Sequence, residues 1–410
     1  MKRQLLTLIT LVAMHTSIFA WVKYDFKEGD LYYKITSSTA PYTVEVANDN
    51  YNSYSGEIVI PATITYEGNT YAVTAIGKTA FFDCSLTSVT IPNTVISIGR
   101  SAFKDCRRLT GVIIGNSVAT IGGYAFSGCK NLTSVVIPNS VATIEGYAFS
   151  GCENLTSVVI PNSVAFIGNC VFERCSRLTQ FEVSADNNYY STTEGVLFNK
   201  NQDTLIQYPI AKLGTSYVIP NSVTIIGDWA FYFCENLTSV TIPNSVTAIG
   251  LGAFDRCFNL TNVTIPNSVT TIGLRAFEYC RSLTSMIIPN SVTSINGGAF
   301  YECSGLTSVI IGNSVDTIGG YAFCGCSDLT SITIPNSVTT IGYNVFERCS
   351  NLTSVTIKAT MPPTLGKLTF YNYDVPQDIY IYVPCESLED YKAAEEWSKL
   401  DNIQCDENKK

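Results

Sequence analysis

A period of 23 residues constrains the fold of this chain more than any other feature of its sequence. Near-copies of the phrase "LTSVTIPNSV" begin at leucines 23 residues apart, on both sides of one interruption. Counted from that leucine as position 1, apolar residues recur at positions 4, 6, 10, 13, 17, 18 and 21. One such unit cannot enclose a core, so the units must stack and cover one another's apolar edges. The repeat leucines are Leu86, Leu109, Leu132, Leu155, Leu178, Leu237, Leu260, Leu283, Leu306, Leu329 and Leu352.

The pattern inside one unit predicts a short strand followed by a turn and a compact return. In the unit that starts at Leu237, Val240 and Ile242 alternate with polar residues, which is typical of a strand with one buried face. Pro243 ends the strand because it has no N–H for a ladder, and "PNS" supplies turn residues. The Ala-Phe pair at positions 17 and 18 favours a helical or 3₁₀ turn packed on the strand.

The unit at 237–259, "LTSVTIPNSVTAIGLGAFDRCFN", resembles the 23-residue leucine-rich repeat of the BspA-like, or treponemal, class. The resemblance covers about residues 58–357. It implies a leucine-rich repeat solenoid, with a parallel β-sheet and short helical or 3₁₀ segments. Position 9 is Ser or Thr, where the commonest leucine-rich repeats carry Asn or Cys. We therefore expect a ladder of hydroxyls, with cysteines later in the coil, in place of an asparagine ladder.

The breaks in the period predict the domain organisation. We expect a signal peptide at 1–20, a β-rich N-terminal cap at 21–57, repeats at 58–360 with an irregular insertion at 179–213, and a C-terminal cap at 361–410. In the insertion, "GVLF" and "TLIQYP" predict a β-hairpin that joins the stack. In the C-terminal cap, "DIYIYVP" predicts a strand. Ser387 and Asp390 then predict a helix start of the capping-box type, and that helix should close the core.

The first twenty residues predict export. Lys2 and Arg3 precede a short apolar run and the small residue Ala20, which is typical of a cleaved signal peptide; the alternative is a buried N-terminal helix. No later segment is long and apolar enough to span a membrane. We therefore expect a secreted or cell-surface protein without a membrane span.

Charge and histidine content exclude several functions. The formal charge is −9 without a basic cluster, so nucleic acid is not an expected partner. His15 is the only histidine, and its loss with the signal peptide removes Ser-His, Cys-His and histidine-zinc chemistry. Acids such as Asp255, Glu278 and Glu347 occur singly and are interpreted as solvated surface charge. We expect no enzyme activity, no metal and no cofactor.

Fifteen cysteines in an exported chain would ordinarily indicate disulfides. Eleven of them, however, fall at position 21, on the buried side, and are predicted to be packed thiols, with cross-coil disulfides as the alternative. Cys385 and Cys405 flank the C-terminal helix and form the best disulfide candidate. The position-21 cysteines are Cys84, Cys106, Cys129, Cys152, Cys175, Cys234, Cys257, Cys280, Cys303, Cys326 and Cys349.

Function must depend on the positions that vary. Position 5 points outward from the strand and carries small or β-branched residues, which favours a flat adhesive face, although such residues also simply favour strands. Aromatic residues near the Ala-Phe pair indicate a second contact surface, unless they only pack between coils. The sheet-face candidates are Thr90, Ile113, Val136, Val159, Thr241, Thr264, Ile287 and Ile310. The aromatic candidates are Trp229, Tyr232, Phe233, Tyr279 and Tyr301.

The resemblance implies adhesion. We expect a non-catalytic, exported bacterial protein whose solenoid surface binds a host matrix protein or a microbial surface protein. The alternative is a glycan- or nutrient-binding component of a cell-surface assembly, in which exposed Tyr and Trp rings stack on sugars. Fold alone does not decide between them.

Overall fold

The computed structural model describes residues 24–48, 54–370 and 379–406. The expected signal peptide lies outside these residues. The chain forms two compact units: unit 1 comprises Met1–Leu178 and Glu182–Tyr189, and unit 2 comprises Thr179–Phe181 and Tyr190–Lys410.

Unit 1 begins with a β-rich cap and continues as stacked coils. Its strands are β1 (Phe26–Glu28), β2 (Leu31–Ser37), β3 (Thr43–Ala47), β4 (Ser55–Val59), β5 (Thr63–Tyr66), β6 (Asn69–Ile76), β7 (Ser85–Thr90), β8 (Ser97–Ile98), β9 (Gly111–Ile113), β10 (Thr120–Ile121), β11 (Thr143–Ile144), β12 (Ser157–Ile160) and β13 (Phe166–Ile167), and β14 (Gln180–Val183) follows at the division between the units. β1, β2 and β3 form an antiparallel meander. β3 then pairs in parallel with β6, which is how the cap joins the coils.

Each coil of unit 1 contributes to two parallel sheets. The front sheet, at repeat positions 3–6, runs in the order β4-β7-β9. The second sheet, at positions 12 and 13, runs from β6 through β8, β10 and β11 to β13. The sequence predicted the front strand. The second strand is only two residues long, too short for its period to be recognised beside the turns that flank it.

Unit 2 repeats this plan. Its strands are β15 (Tyr190–Thr193), β16 (Val196–Asn199), β17 (Thr204–Gln207), β18 (Ser216–Val218), β19 (Ile225–Ile226), β20 (Ser239–Thr241), β21 (Ala248–Ile249), β22 (Asn262–Thr264), β23 (Thr271–Ile272), β24 (Ser285–Ile288), β25 (Ser294–Ile295), β26 (Ser308–Ile311), β27 (Thr317–Ile318), β28 (Ser331–Ile334), β29 (Thr340–Ile341), β30 (Ser354–Ile357), β31 (Thr364–Leu365), β32 (Tyr380–Val383) and β33 (Ile403–Cys405). The front sheet comprises β18-β20-β22, β24-β26 and β28-β30-β32-β33. The second sheet runs from β17 through the odd-numbered strands to β31.

The insertion forms the hairpin that its sequence predicted. β15, β16 and β17 pair as antiparallel neighbours, and β17 then pairs in parallel with β19 of the second sheet. The insertion therefore supplies β17, on which the second sheet of unit 2 continues with β19, and extends that sheet with β15 and β16.

The third side of each coil is a run of turns closed by hydrogen bonds of the 3₁₀ type. In the Leu237 coil, the N–H of Asp255 bonds to the carbonyl of Gly252, and that of Cys257 bonds to Phe254. Alternate N–H groups bond instead to the next coil, as Phe254 does to Ala276 O at 2.7 Å. This alternation satisfies the backbone both along the coil and between coils.

Stacked phenylalanines at position 18 fill the core. In unit 1, Phe126 and Phe149 are nearly parallel, with ring centroids 5.3 Å apart. In unit 2, Phe254 and Phe277 lie 5.1 Å apart at an interplanar angle of 3°. All four side chains are fully buried. Each buried ring contributes on the order of 2–3 kcal/mol to the free energy of folding.

The expected hydroxyl and cysteine ladders are confirmed. Ser268 at position 9 donates to Val246 O of the preceding coil at 2.7 Å, whereas the buried hydroxyl of Ser245 has no partner among the described residues. The thiol of Cys257 donates to Phe231 O of the preceding coil at 3.0 Å. All eleven position-21 cysteines are buried thiols. Burial raises the pKa of Cys280, one of the eleven, well above its ordinary value.

The C-terminal cap differs in detail from its prediction. Helix α1 (Leu388–Ala393) follows a 3₁₀ turn at Cys385–Ser387, and a second 3₁₀ turn spans Trp397–Lys399. Ser387 makes no side-chain capping bond, so the predicted capping box is wrong: the preceding 3₁₀ turn leads directly into the helix. Tyr391 and Trp397 nevertheless close the core as expected, with the Trp397 Nε1–H donating to Pro363 O at 2.7 Å.

Candidate functional site: an aromatic groove and a flat sheet face

The sheet face is formed by the position-5 side chains, which the front strands turn towards solvent. In unit 1, Ile113 is 65% and Val136 is 79% exposed, and Val159 is exposed as well. Thr90 lies in register with Ile113 but is half-buried. The Leu132 coil has no regular front strand, yet Val136 keeps the same outward orientation.

In unit 2 the same row is also exposed and uncharged. Ile287 pairs in register with Ile310, and Thr241 pairs with Thr264. All four side chains are exposed. Since adjacent strands are about 4.8 Å apart, the row is a flat strip of small apolar and hydroxyl groups.

The second candidate surface is a groove in unit 2, on the turn side of the coils, with a volume of about 730 Å³. Trp229, Tyr279 and Tyr301, all predicted as binding aromatics, line it. The remaining lining residues are Leu251, Leu274, Arg275, Glu278, Gly297, Gly298, Gly320, Tyr321 and Tyr343.

Glycines determine where the rings of the groove lie. The indole of Trp229 lies on Gly252: a Cβ there would be 2.3 Å from the Trp229 Cζ3. The ring of Tyr343 lies on Gly320 in the same way, at 2.7 Å from its Cε1. At Gly298 a Cβ would lie 3.3 Å from Arg275 Cγ, a tight contact with a largely exposed side chain; no ring lies within 4 Å of that Cβ, and Gly298 forms part of the groove floor.

Four tyrosines of the groove pack against one another in T-shaped pairs. Ring centroids are 5.7 Å apart between Tyr279 and Tyr301, 6.3 Å between Tyr301 and Tyr321, and 5.0 Å between Tyr321 and Tyr343. The three interplanar angles lie between 80° and 84°. T-shaped pairs of this kind are favourable and do not stack the rings face to face.

The backbone at position 16 has a positive φ. Trp229 and Tyr321 have φ of 58° and 59°, while Gly252 and Gly298 occupy the same position in neighbouring coils at 56° and 62°. A non-glycine residue in this region costs roughly 1–2 kcal/mol. Glycine adopts this φ at position 16 without strain, so the backbone conformation does not require a large side chain there. The same positive φ occurs at position 16 in coils outside the groove, as at Ser101 and Tyr124, so it belongs to the coil plan and does not by itself mark a functional site.

One charged pair lies in the groove. Arg275 Nε is 3.4 Å from Glu278 Oε2, and the Glu278 side chain is only 13% exposed. Burial raises the pKa of Glu278, although Arg275 and Arg256 oppose the shift. The interpretation of Glu278 and Asp255 as solvated surface charge is therefore wrong, since Asp255 is also buried, at 5% exposure.

Two predicted aromatics do not line the groove. Tyr232 packs edge-on against Trp229, with centroids 5.3 Å apart. Phe233 contacts Arg256, whose guanidinium lies 5.4 Å from its ring and 4.5 Å from that of Tyr279. These rings therefore contact neighbours of the groove without lining it.

Sequence reasoning missed the floor of the groove. Gly297, Gly298 and Gly320 belong to glycine pairs, which are ordinary turn residues. The available signal was that position 16 carries both aromatic residues and glycines only in the second half of the chain.

The equivalent surface of unit 1 is built differently. Tyr124 and Tyr147 occupy position 16 of consecutive coils and stack face to face, with centroids 4.7 Å apart and an angle of 3°. Arg100 and Lys104 lie over Tyr124 at 5.0 and 5.5 Å. Burial raises the pKa of Tyr147 to about 12, with Cys170 contributing.

Outside these two surfaces, the structure places Cys385 and Cys405 in a disulfide with Cα atoms 4.6 Å apart. The described residues contain no group of three or more His, Cys, Asp or Glu side chains that could hold a metal ion. None of their helices is long and apolar enough to cross a membrane.

Comparison with known proteins agrees with this architecture. The sequence matches the BspA type leucine rich repeat region, in six copies, over residues 74–200, 212–330 and 294–410. The chain belongs to the BspA-type leucine-rich repeat family. No curated protein matches it.

Solved bacterial structures share the fold. A leucine-rich repeat protein from Bacteroides ovatus is 28% identical, with a TM-score of 0.53 and coverage of 93% of this chain and 99% of that one. One from Eubacterium ventriosum is 26% identical, with a TM-score of 0.61 over 80% and 95%. The pneumococcal vaccine antigen PcpA is 20% identical, with a TM-score of 0.65 over 94% and 98%, which shows likeness of fold alone.

Proposed function

We propose that this protein is an exported, non-catalytic adhesion protein that binds a host matrix protein or a microbial surface protein through its sheet face. The observation that carries the proposal is the row of outward-facing position-5 side chains, which are uncharged except for Glu182. A flat strip of this kind offers a partner apolar contact without the cost of desolvating charges.

Three further features support it. The N-terminal sequence has the pattern of a signal peptide, so the partner would be met outside the cell. A chain that loses His15 with its signal has no histidine for acid-base catalysis. The leucine-rich repeat solenoid of this family is typically a non-catalytic scaffold.

The test is binding of the purified chain to immobilised matrix proteins and to extracted microbial surface proteins. We expect Val136→Glu to weaken the interaction at least tenfold, because it places a charge in the middle of an apolar contact, at a cost of about 1.4 kcal/mol or more.

The matched control is Ala142→Glu. Ala142 is exposed in the same coil at position 11, outside the sheet face, so the same charge should leave binding unchanged. Equal losses in the two variants would show that the sheet face is not the contact surface. Absence of binding to both panels by the parent chain would reject the proposal.

A further inference from the structure

The groove of unit 2 carries groups that the sheet face lacks. A role for this groove is independent of the adhesion proposed for the sheet face. The groove combines amphipathic rings, a bare glycine floor and a single compensated charge pair. We propose that it is a second binding site, which accepts a neutral oligosaccharide chain.

The charge balance points to a neutral ligand. Arg275 and Glu278 are the only charged residues that line the groove, and they pair with each other at 3.4 Å. A charged ligand would find no net opposite charge there, and an interface gains specificity from complementary charge. The pair still offers hydrogen-bonding groups to hydroxyls.

The rings suit a pyranose. Tyr and Trp present an apolar face together with one polar atom. A sugar has the complementary character: C–H groups on one face of its ring and hydroxyls around the edge. Edge-to-face packing of Tyr321 on Tyr343 leaves ring surface uncovered, and both residues are exposed.

The length of the groove suits an oligomer. Trp229 and Tyr343 lie in coils five steps apart, or about 24 Å at a strand spacing of about 4.8 Å. A monosaccharide cannot contact both ends. A chain of about four or five sugars can, because one coil step is close to the length of one pyranose unit.

An extended peptide fits less well. Peptides that bind by main-chain pairing add to a sheet edge, whereas this groove lies across the turn side of the coils. The local backbone groups are already paired between coils: the N–H of Arg275 bonds to Gly297 O, that of Gly298 to Gly320 O, and that of Tyr321 to Tyr343 O. A peptide would gain no ladder here.

The test is calorimetric titration of the full chain with five neutral hexasaccharides: cello-, malto-, xylo-, manno- and chitohexaose. We expect at least one to bind with a Kd below about 1 mM, equivalent to about −4 kcal/mol. Trp229 is half-buried, whereas Trp397 is fully buried, so binding should also change the tryptophan fluorescence.

Two variants locate the site. Trp229→Gly and Tyr321→Gly install the residue that neighbouring coils carry at the same backbone conformation, so the fold should tolerate them. Each should lower the affinity about tenfold or more, as expected for an aromatic anchor. Tyr147→Gly makes the same change at position 16 in unit 1 and should leave the affinity unchanged.

Three outcomes would overturn the proposal: no hexasaccharide binds below about 1 mM, a bound one is insensitive to both variants, or a sulfated hexasaccharide binds more tightly than every neutral one. Val136→Glu separates this site from the adhesion proposal. It should weaken protein binding at least about tenfold and preserve sugar binding, so either proposal can fail alone.

Discussion

The two units share one coil plan but use position 16 differently. In unit 1, Tyr124 and Tyr147 follow each other in consecutive coils and cover each other's faces at 4.7 Å. In unit 2, Gly252 separates Trp229 from Arg275, and Gly298 precedes Tyr321. The missing side chains at Gly252 and Gly320 let the rings of Trp229 and Tyr343 lie across the neighbouring coil instead of stacking on a second ring. The groove therefore depends on glycines placed beside aromatic residues as well as on the aromatic residues themselves.

The largest expected effect on stability comes from the stack of position-18 phenylalanines, which each unit has. Phe126→Ala in unit 1 and Phe277→Ala in unit 2 each remove a fully buried ring from the position-18 stack. We expect each to lower the free energy of unfolding by about 3–5 kcal/mol, measured by urea denaturation followed by circular dichroism. A loss below about 1 kcal/mol in one of the units would mean that the phenylalanine stack does not stabilise that unit as it does the other.

The next prediction concerns a substitution that makes position 16 of unit 2 resemble that of unit 1. Gly298→Tyr fills the open floor with a ring at the φ that Tyr124 and Tyr147 already adopt. Its Cβ would lie 3.3 Å from Arg275 Cγ, on an exposed side chain that can move. We expect hexasaccharide affinity to fall at least about 30-fold, equivalent to about 2 kcal/mol.

Gly298→Ala is the control for that filling. It carries the same backbone cost of roughly 1–2 kcal/mol but adds only a methyl group. It should therefore destabilise unit 2 as Gly298→Tyr does and retain most of the affinity. Equal loss of affinity in both variants would attribute the effect to the backbone and not to occupation of the groove.

A smaller effect tests the unit 1 stack. Tyr147→Gly relieves a backbone cost of roughly 1–2 kcal/mol and loses a ring stack of about 0.5–1.5 kcal/mol. The two terms nearly cancel, so the free energy of unfolding should change by less than about 1 kcal/mol. A destabilisation above about 2 kcal/mol would show that the Tyr124–Tyr147 stack is structural in a way that the groove rings are not.

The smallest effect concerns the buried acid of the groove, for which unit 1 has Ser127 and Ser150 at position 19 of two coils. Burial raises the pKa of Glu278, so the folded state holds its proton more tightly than the unfolded state. Its contribution to stability is present below the ordinary glutamate pKa and is lost as pH rises through the raised value.

Glu278→Gln removes this dependence. The melting temperature of the variant relative to the parent should therefore rise between pH 4 and pH 7. The change should be small because Arg275 and Arg256 oppose the shift. A relative melting temperature that falls over this range would show that the ion pair with Arg275 outweighs the desolvation.

The repeat determined most of the fold because every coil restates it. Position 18 must be apolar in each unit, and position 21 must fit beside Phe and donate to a carbonyl, so Cys257 and its equivalents were assigned correctly. The hairpin at β16–β17 was also predicted, since its two apolar runs flank a polar turn. The capping box at Ser387 failed because a local motif was overridden by the preceding 3₁₀ turn.

The candidate site was only partly predictable. The sequence selected Trp229, Tyr279 and Tyr301 by type, but it gave equal weight to Tyr232 and Phe233, which do not line the groove. Repeat position could not separate these groups, because Tyr301 and Tyr232 share position 19 and Tyr279 and Phe233 share position 20. The neighbouring coils decide which of these rings lines the groove.

The sequence by itself determined the stack of coils, the buried ladders and the outward row at position 5, because each follows from a period within one repeat. Only the tertiary structure decided that residues from coils five steps apart line one groove, that Gly298 is its floor and that Glu278 is buried within it. The physical reason is that a groove depends on the differences between neighbouring coils after they have been stacked, and the period describes only what the coils share.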